Sequence, residues 1–314
     1  MTTMNLNDTV KYLKEHDGYL LVTHIRPDGD TLCSAAALCH ILRGMGKTAY
    51  IYDNPETTRT YEEFTAPYIA PRSFVPACVV SVDLASERLF PKGLDENTVF
   101  DLCIDHHPTN TGYARALFCR PDLASCGELI LQIAREVDML DSHAATLLYA
   151  AVSTDCGCFV YGNTTAQTHR AAAELIEAGA DHRRLNNYLF RQFSFSRLML
   201  EGLIYAGMKQ YADGLVNVAV VTMEMMAAAG ATEDDCEDLA SLAGRVRGSI
   251  VSVTVRQIAE RESKISIRSG EMFDSSAVCA KHGGGGHKMA SGCTIYEDPD
   301  TARDIIVRDI LEAL

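Results

Sequence analysis

The sequence contains no tryptophan, and aromatic residues make up only 7% of its 314 positions. That scarcity carries no functional message, but other absences do. Eleven cysteines are present without one paired CxxC, so zinc ribbons and fingers are excluded. An odd number scattered through apolar stretches such as Ala77-Cys78-Val79 and Leu102-Cys103-Ile104 is a poor disulfide framework, and these thiols read as small buried hydrophobes. Glycine and proline are too few for a collagen-like repeat, and a 47% hydrophobic content is too high for intrinsic disorder. No apolar run is long enough to span a membrane. The most apolar tract, Leu215 to Ala231, is broken by Asn217, Thr222 and Glu224. No cationic leader opens the chain, where Asn7 to His16 reads as a short amphipathic helix, so a cytoplasmic protein is expected. Basic residues are outnumbered, 28 against 42, for a net charge of −14. A broad duplex-DNA face is therefore excluded, while a short anionic substrate stays possible where cations or a local basic patch invert the field.

Against these absences stands a clear alternation in the first half. Tyr19 to Thr23, Thr48 to Tyr52, Ala77 to Val82 and Thr98 to Ile104 read as buried strands, with a helix over Ser34 to Met45. Strands separated by helices predict an α/β fold with a mostly parallel, Rossmann-like sheet. Helical patterns follow at 124–137, 142–152, 166–178 and 181–192. A second composition begins near Ser196. It has a helix over 197–210, a turn at Asp213-Gly214, a strand over 215–221 and an acidic helix over 233–242. Strands at 250–258 and 264–268, a glycine cluster and a last helix over 299–314 complete it. The expected division is a first domain over 1–192, a linker helix over 193–212 and a smaller α+β domain over 213–314.

Polar clusters stand where the predicted strands and helices end. His24-Ile25-Arg26-Pro27-Asp28-Gly29-Asp30 follows the first strand, and its acids suit turns or helix caps as well as ligation. Asp83 ends the run from Cys78, where open α/β sheets bind ligands. Asp105-His106-His107 follows the next strand, and Asp155 ends a hydrophobic helix. Taken together, His24, Asp28, Asp30, Asp83, His106 and Asp155 supply two imidazoles and four carboxylates with no thiolate. Such a set suits Mn²⁺, Mg²⁺ or Co²⁺ rather than structural zinc. The acids would repel one another unless cations compensated them. In the second half, Gly283 to Gly286 can turn backbone N–H groups toward an anion, and a helix following them would add its positive end. Arg268, on a neighbouring strand, can hold a phosphate through two donors. Arg245, Arg247, Lys281 and Lys288 read as solvated surface charges.

The ordered set His24 to Asp30, Asp83, Asp105 to Asn110, and Thr154 to Gly157 resembles the DHH phosphoesterase superfamily. The second half, with Ser266 to Ser269, Asp274 and Gly283 to Gly292, is similar to the DHHA1 domain. Within the superfamily, the short bacterial nanoRNases that also dephosphorylate 3′-phosphoadenosine 5′-phosphate (pAp) are the nearest group. That resemblance implies two Mn²⁺ ions bridged by Asp83, one held by His24 and Asp28, the other by Asp30, His106 and Asp155. It implies that His107 faces the scissile phosphate or leaving oxygen, and that Asp105 fixes imidazole orientation. Asn110 fits the motif. Arg268, Ser269, Gly284, Gly285, Gly286 and His287 are implied to hold the nucleotide. The implied reaction is hydrolysis of short oligoribonucleotides and linear dinucleotides (pApA, pGpG) to nucleoside 5′-monophosphates, by a homodimer. Cys156 and Leu84 depart from the family pattern. A manganese pyrophosphatase shares the first motifs, but its basic Ser-Arg-Lys-Lys-Gln type motif is absent here. A nucleotide sensor without catalysis is the alternative of another class.

Overall fold

The computed structural model describes residues 1–236 and 239–314. They divide into two compact units, Met1–Gln192 and Phe193–Leu314. In the first unit the elements run β1 (Thr2–Thr3), α1 (Leu6–Glu15), β2 (Tyr19–Val22), α2 (Gly29–Gly44), β3 (Ala49–Ile51) and α3 (Arg59–Thr65). They continue with β4 (Cys78–Val82), β5 (Leu102–Asp105), β6 (Ala116–Cys119), α4 (Cys126–Glu136), α5 (Ser142–Asp155), α6 (Ala166–Glu177) and α7 (His182–Phe190).

The strands are short apolar runs buried on both faces, as parallel strands covered by helices must be. Among the described residues they form one parallel sheet in the order β1-β6-β5-β4-β2-β3. The chain leaves β2 toward β3 on one side and returns to β4 on the other. The direction of winding therefore reverses at β2 and β4, where a crevice opens beyond the carboxyl ends of the strands.

Helices α2 and α5 pack closely through small side chains, with Ala35 to Ala37, Ala144, Ala145, Ala150 and Ala151 all buried. Gly29 marks their tightest approach: a Cβ there would stand 2.5 Å from Cγ2 and Oγ1 of Thr154. Helix α2 begins earlier than its periodicity suggests because the Asp28 side chain accepts the Thr31 N–H at 3.2 Å. Asp28, not Asp30, is thus the cap, and Asp30 lies buried in the first turn.

The second unit comprises α8 (Phe195–Gly207), β7 (Lys209–Tyr211), β8 (Val216–Val221), α9 (Met223–Ala229), β9 (Val251–Ala259) and β10 (Glu262–Ser269). It ends with α10 (Ser275–Ala280), β11 (Gly285–His287), β12 (Ala290–Ile295) and α11 (Pro299–Leu311). The mixed sheet has the order β11-β12-β10-β9-β8-β7, parallel only between β8 and β9. The acidic helix expected over 233–242 is replaced by 3₁₀ turns at Asp234–Cys236 and Leu239–Arg245, while residues 237 and 238 lie outside the described residues. The glycine run also departs from expectation. It enters a hairpin of β11 and β12 instead of preceding a helix, so no helix dipole points from it toward an anion. Glycine is required there because a Cβ on Gly284 would lie 2.2 Å from the Gly292 carbonyl oxygen.

Candidate metal centre

All six expected metal ligands stand together at the winding reversal. His24 follows β2, Asp28 and Asp30 open α2, Asp83 follows β4, His106 follows β5, and Asp155 closes α5. Asp83 turns the chain with φ of 58°, a left-handed conformation that costs an aspartate roughly 1–3 kcal/mol unless its surroundings demand it. The turn places its two oxygens on different neighbours. Oδ1 lies 3.3 Å from His106 Nε2, and Oδ2 lies 4.0 Å from His24 Nε2. His24 Nε2 is also 3.7 Å from Asp28, and His106 Nε2 is 3.9 Å from Asp30 and 4.0 Å from Asp155. Two convergent groups result, His24 with Asp28 and Asp83, and Asp30 with His106 and Asp155.

Both imidazoles are oriented from behind. Nδ1 of His24 donates to the Ile25 carbonyl at 2.8 Å, and Nδ1 of His106 to the Leu123 carbonyl at 3.3 Å. Each Nε2 is thereby left facing the carboxylates, the arrangement metal-ligating histidines adopt. Asp30, 1% exposed, is held differently. The Cys126 and Gly127 amides opening α4 donate to it at 2.7 and 3.0 Å, and the Ser34 hydroxyl at 3.0 Å. A carboxylate is thus seated at a helix N-terminus, where exposed N–H groups and the dipole favour negative charge.

Without a cation, the site's groups shift strongly. Burial works to lower the pKa of His24, but Asp28 and Asp83 outweigh it and push it up to about 9. His106 likewise loses to burial and gains more from Asp83, reaching about 10. Burial pushes Asp155 up to about 7, and burial with the Asp83 and Asp155 charges raises Asp30 well above the carboxylate range. Asp83 Oδ1 and His106 Nε2 are the telling pair. They are buried and 3.3 Å apart, yet neither has a hydrogen-bond partner of acceptable geometry among the described residues. Unsatisfied buried polar atoms are costly, and a cation between them removes the cost. The donor set therefore fits divalent ions with oxygen and imidazole preference.

The remaining motif residues stand beside these groups. Asp105 is fully buried, and its Oδ1 accepts Nδ1–H of His107 at 2.8 Å. Its Oδ2 accepts the Asn110 amide at 2.6 Å, so Asn110 braces Asp105. Burial raises the Asp105 carboxyl, but His107 and Asn110 overcome this and hold it below the usual range. His107 Nδ1 also lies 3.5 Å from Asp83 Oδ1, which makes Asp83, His106 and His107 a third convergent set. Leu84 and Cys156, the two departures from the family pattern, are buried core residues.

In the second unit, Arg268 on β10 pairs in register with Ala290 of β12, beside the hairpin that carries Gly285, Gly286 and His287. Arg268 is exposed, and Ser269 is tied down by its hydroxyl, which donates to the Phe273 and Lys288 carbonyls at 3.2 and 3.4 Å.

One residue bearing on the centre escaped sequence reasoning. Asn163 donates from Nδ2 to Asp155 Oδ2 and to the Ala124 carbonyl, each at 3.2 Å, and nothing in its sequence context marks it.

Residues 19–152 match the DHH family, N-terminal domain, and residues 215–313 match the DHHA1 domain. The chain is 32% identical to the bifunctional oligoribonuclease and PAP phosphatase NrnA of Thermus thermophilus, over 96% of this chain and 92% of that protein. The chain belongs to the DHH family. The Bacillus subtilis protein of the same name is 26% identical over 92% of this chain and 93% of its own length. Among solved structures, an exopolyphosphatase-related protein from Bacteroides fragilis superposes with a TM-score of 0.83 at 22% identity, covering 98% of this chain and 95% of that one. Exonuclease RecJ bound to manganese gives a TM-score of 0.53 at 15% identity, covering 100% and 95%. Among the described residues, no helix is long and apolar enough to cross a membrane.

Proposed function

We propose that the protein is a metal-dependent phosphodiesterase that hydrolyses short oligoribonucleotides and linear dinucleotides to nucleoside 5′-monophosphates, and that it also dephosphorylates pAp. The observation that carries this is the buried, unpartnered pair Asp83 Oδ1 and His106 Nε2 within a ring of carboxylates. The 32% identity to a bifunctional oligoribonuclease and PAP phosphatase supports the substrate class.

In this proposal His24, Asp28 and Asp83 hold one Mn²⁺, and Asp30, His106, Asp155 and Asp83 hold a second, with Mg²⁺ or Co²⁺ as possible substitutes. The ions supply an activated water and neutralise charge on the scissile phosphate. The protein's own groups do the rest. Asp83 holds its two oxygens toward both subsites, at the expense of a strained backbone. Asp105 fixes His107 with Nδ1 protonated, so Nε2 is turned outward to hold a proton for the departing oxygen. Arg268, Ser269, Gly284, Gly285, Gly286 and His287 bind the nucleotide's distal phosphate and base. Residues 1–192 then form the catalytic domain and 213–314 the substrate-binding domain, joined by 193–212. The protein acts on single strands and not duplex DNA, in keeping with its charge of −14. It works as a homodimer, which sedimentation of the purified protein checks.

The test measures product release from pApA, a short RNA, pAp and pyrophosphate, with and without Mn²⁺, beside the double variant Asp105→Ala, His106→Ala. Metal-dependent mononucleotide release that the variant loses is the expected result. Phosphate from pyrophosphate alone, or nucleotide binding without turnover, refutes the proposal.

A further inference from the structure

Asp83 holds a left-handed conformation, φ 58°, that an aspartate keeps only where its surroundings over-determine it. Strand pairing supplies one constraint, since the Asp83 amide donates to the Ile104 carbonyl at 2.8 Å. That bond fixes a single peptide, and the chain must also be held where it leaves the turn.

Two side-chain hydroxyls hold the carbonyls on either side. Before Asp83, Thr31 Oγ1 donates to the Val82 carbonyl at 2.8 Å. Thr31 is fully buried in the first turn of α2, so this bond ties the helix start that carries Asp28 and Asp30 to the residue preceding Asp83. After Asp83, the Tyr113 hydroxyl donates to the Leu84 carbonyl at 2.9 Å. The Asn110 amide and the Cys103 thiol reach the same carbonyl only at 3.4 and 3.6 Å. Ser81 Oγ lies 2.7 Å from the Tyr113 oxygen and has a proton of its own to donate, which leaves the phenol proton for Leu84. Phe90 and Phe100 stand edge-on to the Tyr113 ring, with centroids 5.2 and 5.3 Å away, and keep the phenol in place.

We propose that Thr31 and Tyr113 are positioning residues that clamp the Asp83 turn from both sides and so aim its two oxygens at the two ion subsites. They act on the backbone around Asp83, not on an ion or a substrate. The proposal rests on the two-ion proposal above and deepens it by naming what keeps the shared ligand in its strained conformation. Because Asp83 serves both subsites, slackening its turn weakens both binding steps together.

The experiment titrates Mn²⁺ into chelator-treated full-length protein by calorimetry and records the electron paramagnetic resonance of the loaded protein. Wild type, Thr31→Val, Thr31→Ser and Tyr113→Phe are compared, and unfolding of each metal-free protein is followed. Valine keeps the branched shape of threonine and the amide bonded to Asp28 but removes the hydroxyl, which serine restores. Phenylalanine removes only the phenol oxygen. Wild type is expected to bind two ions and to show the spin-coupled spectrum of two Mn²⁺ sharing a carboxylate. Thr31→Val is expected to weaken both steps by about 10–100-fold, the range for residues that orient ligands, and to move the spectrum toward that of separate ions. Tyr113→Phe, with two longer donors left on Leu84, falls at about tenfold, and Thr31→Ser stays within about threefold of wild type. Either Thr31→Val or Tyr113→Phe with both affinities within about twofold of wild type overturns the proposal, whatever its unfolding temperature. Weakening of one step alone, or a Thr31→Val loss that serine fails to repair, overturns it as well. A wild type that binds fewer than two ions overturns the two-ion proposal itself, and this one with it. Should Thr31→Val fail to fold, Tyr113→Phe decides alone: both steps weaken, or the clamp is refuted.

Discussion

Gly29→Ala tests how the first unit brings its ligands together. Gly29 has no positive φ, so alanine fits the backbone, and a lower unfolded-state entropy would by itself stabilise by about 0.4–1 kcal/mol. Contact opposes this. The new Cβ would stand 2.5 Å from Thr154 Cγ2 and Oγ1, and 2.7 Å from Thr154 Cβ. Carbon contacts relax near 3.5 Å, so the helices must part by about 1 Å. Thr154 cannot swing aside cheaply, because Oγ1 donates to the Ala150 and Ala151 carbonyls at 2.9 and 3.0 Å. Overpacking of this kind costs about 1–3 kcal/mol, which leaves a net loss of about 1–2. For a unit of 192 residues that lowers the unfolding temperature by roughly 2–8 °C. The larger effect falls on activity, because the same 1 Å separates Asp28 and Asp30 from Asp155, and a shift of that size costs turnover about 100-fold. Calorimetry and mononucleotide release from pApA measure the two losses. Adding Thr154→Gly removes the obstructing side chain and should restore activity. A Gly29→Ala protein with an unchanged unfolding temperature and turnover within twofold refutes the reasoning.

Asp105→Asn should lower turnover about 10–100-fold by loosening His107 while leaving Mn²⁺ affinity within twofold; matching losses of both would make Asp105 part of the ion site. Arg268→Lys should raise KM for pApA about tenfold with little change in kcat, since lysine cannot reproduce a forked contact, and an unchanged KM removes Arg268 from the nucleotide site. In the second unit, burial raises the Asp309 carboxyl, but the 2.7 Å bond from His282 and the Arg308 charge overcome it and hold it below its ordinary value. A depressed carboxyl stabilises above its unfolded pKa, about 3.9, and that contribution is lost as pH falls through the folded value. Denaturant melts from pH 7 to 2 should show a shallower acid loss in Asp309→Asn than in wild type, and parallel profiles would remove the linkage.

The predicted strands of the first unit were legible because each is a short apolar run with polar residues close behind it, and the parallel sheet follows from the helices between them. Strand β6 was not, since Ala116 to Cys119 sits between Arg115 and Arg120 and is made a strand by its pairing with β5. In the second unit, glycine hid the hairpin of β11 and β12. Four glycines disfavour a strand by propensity, and only the close approach of Gly284 and Gly286 to the neighbouring strand explains them. The metal ligands were legible as residue types at element ends, while their pairing into two sets was available only from the family resemblance and not from spacing. That pairing depends on the Asp83 turn and on Gly29, both tertiary facts. Asn163 was missed for a related reason. It bonds the Ala124 carbonyl, 39 positions away, and no local spacing encodes such a contact.

The distribution of hydrogen bonds argues for the ions more strongly than the count of acids does. A cluster of carboxylates can be structural when protein donors satisfy every oxygen. Two acids here are satisfied in that way: Asp30 by two amides and a hydroxyl, and Asp105 by His106 and His107 amides, the His107 ring and Asn110. Asp83 is the exception, 3% exposed, backbone-strained, and with Oδ1 facing an equally unpartnered His106 Nε2. A fold that builds donors for Asp30 and Asp105 but leaves the central acid bare has kept that position for something outside the chain. Its two oxygens face different imidazoles, one 3.3 Å away without hydrogen-bond geometry and the other 4.0 Å away, too far for direct bonding. A divalent cation between Asp83 Oδ1 and His106 Nε2 would satisfy both of these atoms. The physical case for an ion here therefore rests on Asp83 and His106.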